Sequence, residues 1–217
     1  MADRSVSHNV LNRMTKLSAR DQHETREAIL RAAVELFAES GLNGASIAEI
    51  AKRAGVTKSL VMYYFPTKDE LWRESVEVKL APTMLVLEQF MADKQNVGLM
   101  DLVESRIKSY THSPEICRMY AWTTLGHGNP IPEDKLHVAQ GLIRKVSADP
   151  ERYGVPEGVD AAMFVGVLMA TVDGWFTYRS ILSQLAGRNC ETEQASIEFA
   201  KIVQTCFFPS LKKPESK

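Results

Sequence analysis

Between residues 46 and 68 the chain gathers hydroxyls and cations: Ser46, Thr57, Lys58, Ser59, Tyr63, Tyr64 and Lys68. These are hydrogen-bond donors, and a donor set of this kind suits the oxygens of a polyanion. Thr57, Lys58 and Ser59 sit together, where short side chains at a helix start meet base edges in a DNA groove. Tyr63, Tyr64 and Lys68 follow one to two turns later and suit phosphate oxygens. Ser46 precedes an apolar run, so that free backbone N–H groups and a partial positive charge face a phosphate there. A second group lies far downstream. Trp122 and Trp175 offer aromatic walls, and His127 or Asp173 a polar group that orients a small ligand. Asp173 interrupts an otherwise apolar stretch and needs a partner: an arginine or hydroxyl of the chain, or a group on a ligand. His112, Cys117, His127 and Asp173 also supply the types from which a nucleophile, base and orienter are recruited. Their spacing matches no G-x-S-x-G, H-E-x-x-H or phosphate-cradling glycine loop, so no catalytic residue, metal site or cofactor is assigned.

Two short helices must position the first group. Ser46 and Glu49 stand in capping-box spacing, and Ile47, Ile50, Ala51 and Ala54 recur on one helical face. Gly55 stands where a helix stops with positive φ, and Thr57 caps a second helix whose inward face is Leu60, Val61 and Phe65. Two short helices around a glycine-containing turn form a helix-turn-helix, which places the start of its second helix in the DNA major groove. Ahead of it, a helix from Asp21, with Ile29, Ala33, Leu36 and Phe37 as its apolar stripe and Ser40-Gly41 as its end, serves as scaffold. Thr67 and Glu70 form a second capping box and open a helix through Leu71, Trp72 and Val76, which Pro82 is expected to stop or kink.

The run F-A-E-S-G-L-N-G-A-S-I-A-E-I-A-K-R-A-G-V-T-K-S-L-V-M-Y-Y-F-P-T-K-D-E-L resembles the DNA-binding region of TetR-type (tetracycline-repressor) regulators. The similarity runs from about Thr25 to Leu71, and Tyr63–Leu71 is its most specific part. The resemblance implies an all-α homodimer: a three-helix N-terminal helix-turn-helix domain and a divergent helical domain for effector binding and dimerisation. It implies a ligand-responsive transcriptional regulator, a repressor on a partly palindromic double-stranded DNA operator, released by a small molecule. A DNA-binding regulator or adaptor without an effector is the alternative, and an enzyme on a helical scaffold the rival class.

Charge and composition agree with this division. The net charge is −1, but residues 1–68 carry ten Lys/Arg against seven Asp/Glu, and the remainder sixteen against twenty. A modestly basic front over an acidic rear fits a compact DNA-contact surface. Cys117, Cys190 and Cys206 are far apart and form no C-x-x-C pair, as expected of a reduced cytoplasmic protein. No secretory signal is visible, and the uncharged run Ala161–Val172 is too short to span a bilayer.

The expected organisation is a flexible basic arm over 1–20, a DNA-binding domain over 21–66, a ligand-binding and dimerisation domain over 67–208, and a flexible tail over 209–217. Within the larger domain, amphipathic helix over 83–112 breaks near residues 95–98, and Ser113-Pro114-Glu115 opens another helix through Leu125. Gly126–Pro132 and Gly154–Gly158 read as loops on either side of a helix over Glu133–Ser147. Residues 159–186 form the most apolar helix. Val167, Thr171, Gly174 and Tyr178 trace one of its faces, and Phe164, Leu168, Trp175 and Leu182 another. One face is expected to meet the domain's own core and the other a second copy of the chain. A last helix carries Ala195, Phe199, Ile202, Val203 and Cys206.

Overall fold

The computed structural model describes residues 4–93, 97–125 and 133–209, with side chains from residue 21 onward except those of 133–135. Among the described residues there are nine α-helices, one short 3-10 turn and no strand. His127, the loop 126–132 and the tail beyond residue 209 lie outside them. The chain divides into two compact units, residues 1–76 and 77–217, and the division falls inside one helix.

In the first unit, α1 spans Arg4–Gly44 and breaks at Gly41, whose φ of 69° and ψ of 178° suit glycine. The expected stop at Ser40-Gly41 is therefore present. The start differs: the helix extends back to Arg4, so Asp21 and Glu24 stand in its interior rather than at a cap. Residues 4–20 contain neither Pro nor Gly, and nothing in that stretch interrupts a helix. The helices α2 (Ile47–Ala54) and α3 (Lys58–Tyr64) follow. Ile29, Ala33 and Phe37 of α1, Ile50 of α2, and Val61 and Phe65 at α3 are all fully buried. Burying a side chain of the Val, Ile or Phe class contributes about 1.5–3 kcal/mol, so this shared core fixes how the two short helices lie on α1.

The helix α4 spans Lys68–Met91 and begins with Thr67 Oγ1 accepting from the Glu70 amide at 3.0 Å. Leu71 is fully buried and the Trp72 ring meets Phe37 edge-on at 5.0 Å. Those contacts carry the first unit to residue 76, ten residues past the boundary expected at 66. Pro82 does not stop α4; it withholds one N–H from the helix ladder, and the helix continues for nine more residues.

The second unit contains α5 (Leu99–His112), α6 (Pro114–Leu125), α7 (Glu133–Ala148), a 3-10 turn at Glu151–Tyr153, α8 (Ala161–Ala186) and α9 (Glu193–Phe207). Here α5 packs against α6, α8 and α9, and α7 packs against α8. Asp160 and Thr192 cap α8 and α9 with side-chain oxygens. The inner side of α8 buries Phe164, Leu168, Val172 and Phe176, whereas Met163, Val167, Tyr178, Ile181 and Leu185 are exposed. By length and composition α8 is long and apolar enough to cross a bilayer, which the run Ala161–Val172 by itself is not. The charge that ends that run, Asp173, is paired inside the unit.

Candidate functional site

The N-terminal site is built by caps. Ser46 Oγ accepts from the Glu49 amide at 3.1 Å, and the Glu49 carboxylate turns to Arg53 at 3.7 Å. Arg53 also donates to both oxygens of Glu39 at 2.8 and 2.6 Å, tying α2 to α1. The hydrogen bond to Glu39, more than the nearby charges, raises the pKa of this exposed guanidinium. Gly55 ends α2 at φ 70° and ψ 26°, the left-handed region where a side chain is strained. Thr57 then caps α3, its Oγ1 accepting from the Leu60 amide at 3.2 Å and lying 3.0 Å from Ser59 Oγ.

This geometry brings Ser46, Thr57, Lys58, Ser59 and Tyr63 to exposed positions. Tyr63 is 76% exposed and its ring stands edge-on to half-buried Tyr64, 5.4 Å between centroids. Lys68 is placed differently. Its Nζ donates to the Ala45 carbonyl at 3.2 Å, so the ammonium sits one residue ahead of the α2 cap. There it links the start of α4 to the start of α2 and adds positive charge where the helix dipole is positive. Behind α3, Arg26 lies over the Phe65 ring at 5.1 Å and pairs with Glu74.

The second site lies within the C-terminal unit. A cavity of about 190 Å³ is bounded by α4, α5, α6, α7 and α8, with Leu80, Met84, Leu87, Leu102, Leu142 and Met169 as its apolar lining. Its polar groups come from Glu77, Thr83, Arg106 and Tyr120. Of the downstream residues singled out in the sequence, Tyr120's neighbour Trp122 is 43% exposed and does not line it, nor do Asp173 and Trp175. Trp175 stacks on Phe199, 4.7 Å between centroids and 3° from parallel, with its buried Nε1 lacking a hydrogen-bond partner among the described residues.

Asp173 has found its partners within the chain, and both expected kinds are present. Arg106 donates to its two carboxylate oxygens from Nε at 2.8 Å and from an Nη at 2.9 Å, and the Tyr110 hydroxyl donates at 3.0 Å. The guanidinium also lies over the Tyr110 and Tyr120 rings at 5.1 and 5.3 Å. Burial works against the charge on Arg106, but Tyr110, the Asp173 carboxylate and the hydrogen bonds to it outweigh burial and raise its pKa. Burial pushes the Tyr110 hydroxyl up, so it keeps the proton that it donates. Burial likewise pushes the Cys117 thiol up; its Sγ lies 3.5 Å from Thr177 Oγ1 and donates to the Asp173 carbonyl at 3.8 Å. A thiol held protonated beside a hydroxyl and a carbonyl is a poor nucleophile.

Arg106 and Tyr110 were not legible as partners of Asp173. Their four-residue spacing puts them on one side of a helix, but nothing in the sequence points that side at a residue more than sixty positions away.

Residues 29–74 match the family model for bacterial regulatory proteins of the tetR family. The regulator RutR of Escherichia coli K12 is 29% identical over 115 residues, 51% of this chain and 52% of RutR. The chain thus spans about half the length of that curated relative. The transcriptional repressor SCO4008 of Streptomyces coelicolor is 27% identical over 161 residues, 73% of this chain and 81% of the repressor. Among solved structures, the putative transcriptional regulator SCO4942 of Streptomyces coelicolor superposes with a TM-score of 0.64 at 21% identity, covering 85% of this chain and 98% of that one. The fatty acid degradation regulator FadR of Bacillus halodurans does so at 0.59 and 18%, covering 87% and 97%. Residues 29–74 thus form a tetR-family helix-turn-helix domain, and the chain shares its all-α fold with these solved structures.

Proposed function

We propose that the protein is a dimeric repressor that binds a partly palindromic operator and releases it when a small molecule occupies the cavity of the C-terminal unit. The observation that carries the DNA half is the doubly capped α2–α3 pair, which holds Thr57, Lys58, Ser59 and Tyr63 outward on a fully buried base. In this reading Thr57, Lys58 and Ser59 meet base edges, while Tyr63, Tyr64 and the α2 N-terminus at Ser46 meet phosphates. Lys68 acts through Ala45 as a positioning residue and lends its charge to the same phosphate.

A second copy covers the exposed face of α8, where Met163, Val167, Tyr178, Ile181 and Leu185 stand exposed. The cavity supports the effector half: it is lined mainly by apolar side chains from five helices and carries few polar groups, as small-molecule sites do. Because α4 runs from Lys68 into the cavity lining, it is the covalent link through which occupancy biases DNA binding. The ligand shifts that equilibrium only by its difference in affinity for the free and operator-bound dimer. The test is selection of duplexes from a random pool, followed by titration at several salt concentrations. Enriched inverted half-sites about 34–36 Å apart support the reading, and enrichment of no sequence overturns it.

A further inference from the structure

The charges lining the cavity do not contribute equally to what can bind there. Only Glu77 and Arg106 among its lining residues are of the acidic or basic types. Arg106 is engaged: two of its nitrogens serve the two oxygens of Asp173 in a bidentate fork, and the Tyr110 and Tyr120 rings lie against the guanidinium. Its charge is balanced before any ligand enters, and its best-directed donors are already used. Glu77 is exposed and has no ion-pair partner among the described residues. The cavity therefore presents an apolar body, an occupied cation and an unbalanced anion.

We propose that Asp173 sets the charge preference of the cavity: by holding Arg106 it keeps the guanidinium from a carboxylate ligand, so that the effector is an apolar molecule that is uncharged or cationic. This rests on the reading of the cavity as the effector site. An anion would enter beside Glu77 and find Arg106 already neutralised, and to recruit that guanidinium it would have to displace a carboxylate held by the fork and by Tyr110. A neutral or cationic ligand faces neither obstacle, and the thioethers of Met84 and Met169 adapt to its shape.

Three probes with the same alkyl chain separate the possibilities: octanol, octyltrimethylammonium and octanoate, titrated by calorimetry into the full-length protein at neutral pH. Octanol and octyltrimethylammonium should bind at least about tenfold more tightly than octanoate, the scale of one charge-assisted hydrogen bond withheld. Asp173→Asn should free Arg106 and narrow that ratio by about tenfold or more. The double variant Arg106→Gln/Asp173→Asn, which removes both charges together, should leave octanoate as weak as in the wild type, and Leu142→Trp, which fills the cavity from α7, should abolish binding of all three. Octanoate binding the wild type as tightly as octanol would overturn the charge preference alone, as would a marked loss of octanoate affinity in Arg106→Gln/Asp173→Asn. A folded Asp173→Asn with an unchanged ratio would remove Asp173 from the explanation. Binding of none of the probes, or binding that survives Leu142→Trp, would overturn the cavity reading and the preference together. The wild-type ratio tests the preference even if Asp173→Asn fails to fold.

Discussion

Replacing each member of the Arg106–Asp173 pair by leucine should destabilise the protein unequally, and the inequality follows from where water reaches. The Arg106 side chain is 17% exposed and that of Asp173 39%. Removing Asp173 leaves a guanidinium shut away from water with its fork empty, and it also strips the Tyr110 hydroxyl of its acceptor. Breaking a fully buried pair this way costs about 3–5 kcal/mol; water reaching the carboxylate side of this one lowers the expectation to about 2–3. Removing Arg106 instead leaves a carboxylate that is still hydrated and still bound by Tyr110. Two charge-assisted hydrogen bonds and the ring contacts are lost, about 1–2 kcal/mol after allowing for solvent. In a chain of this size 1 kcal/mol moves Tm by about 2–4 °C, so Asp173→Leu should melt about 4–12 °C lower and Arg106→Leu about 2–8 °C lower. The double variant should be more stable than the sum of the two losses predicts, by about 1–3 kcal/mol, because no charge is then stranded. Urea titration of all four proteins at one concentration measures the cycle. Additive losses, or Arg106→Leu as the more damaging change, would refute the assignment of the pair as a buried fork stranded by loss of its acid.

Other expectations bear on the remaining elements. Thr57→Ala removes the cap of a seven-residue helix and should lower stability by about 1 kcal/mol, with DNA affinity falling more than in Thr57→Ser; equal affinity of the two variants would show that the cap is not what positions α3. Lys68→Ala should weaken binding to all duplexes, and the salt slope separates its two roles: a fall of about one unit marks a phosphate contact, whereas weaker binding with an unchanged slope marks positioning through Ala45 alone. Ile181→Glu, at an exposed position of α8, should yield a folded monomer by sedimentation, whereas Leu168→Glu should unfold the C-terminal unit because Leu168 is fully buried; a dimer that tolerates Ile181→Glu would place the interface elsewhere. The hydrogen bond from Lys145, with its charge and that of Arg152, holds the Asp93 carboxyl below its ordinary value. A depressed carboxyl contributes stability above its unfolded pKa and loses it as pH falls through the folded one, so the advantage of wild type over Asp93→Asn should be full near neutrality and vanish at pH below the ordinary carboxylate range.

The two halves of the chain were legible to different depths for a physical reason. The helix-turn-helix is local: each signal that defines it acts within four residues of itself. Ser46 reaches Glu49, Thr57 reaches Leu60, and Gly55 turns its own backbone, so types and spacing alone specify the caps that the structure contains. A contact that skips over that range does not show in the spacing even here: Lys68 donates to Ala45, which only the folding of α4 back beside α2 brings near. Likewise Trp72, already in the next helix by sequence, belongs by its contact with Phe37 to the first unit.

The cavity is the opposite case, because no two adjacent helices make it. It takes Leu80 and Met84 from α4, Leu102 from α5, Tyr120 from α6, Leu142 from α7 and Met169 from α8, and each alone has the pattern of a core residue. A wall differs from a core only in what lies opposite it, which periodicity does not encode. Trp122 and Trp175 read as the aromatic walls because of their type, and Tyr120 and Met169, which do line the cavity, carry no signal that sets them apart from core. Size favours burial against another ring, and that is what Trp175 does on Phe199. Asp173 was the stronger clue because a charge in an apolar helix must be answered somewhere. The answer lay in Arg106, and through it the acid reaches the cavity without lining it. A buried charge in a sequence therefore announces that a partner exists, and its identity is set only when the helices pack.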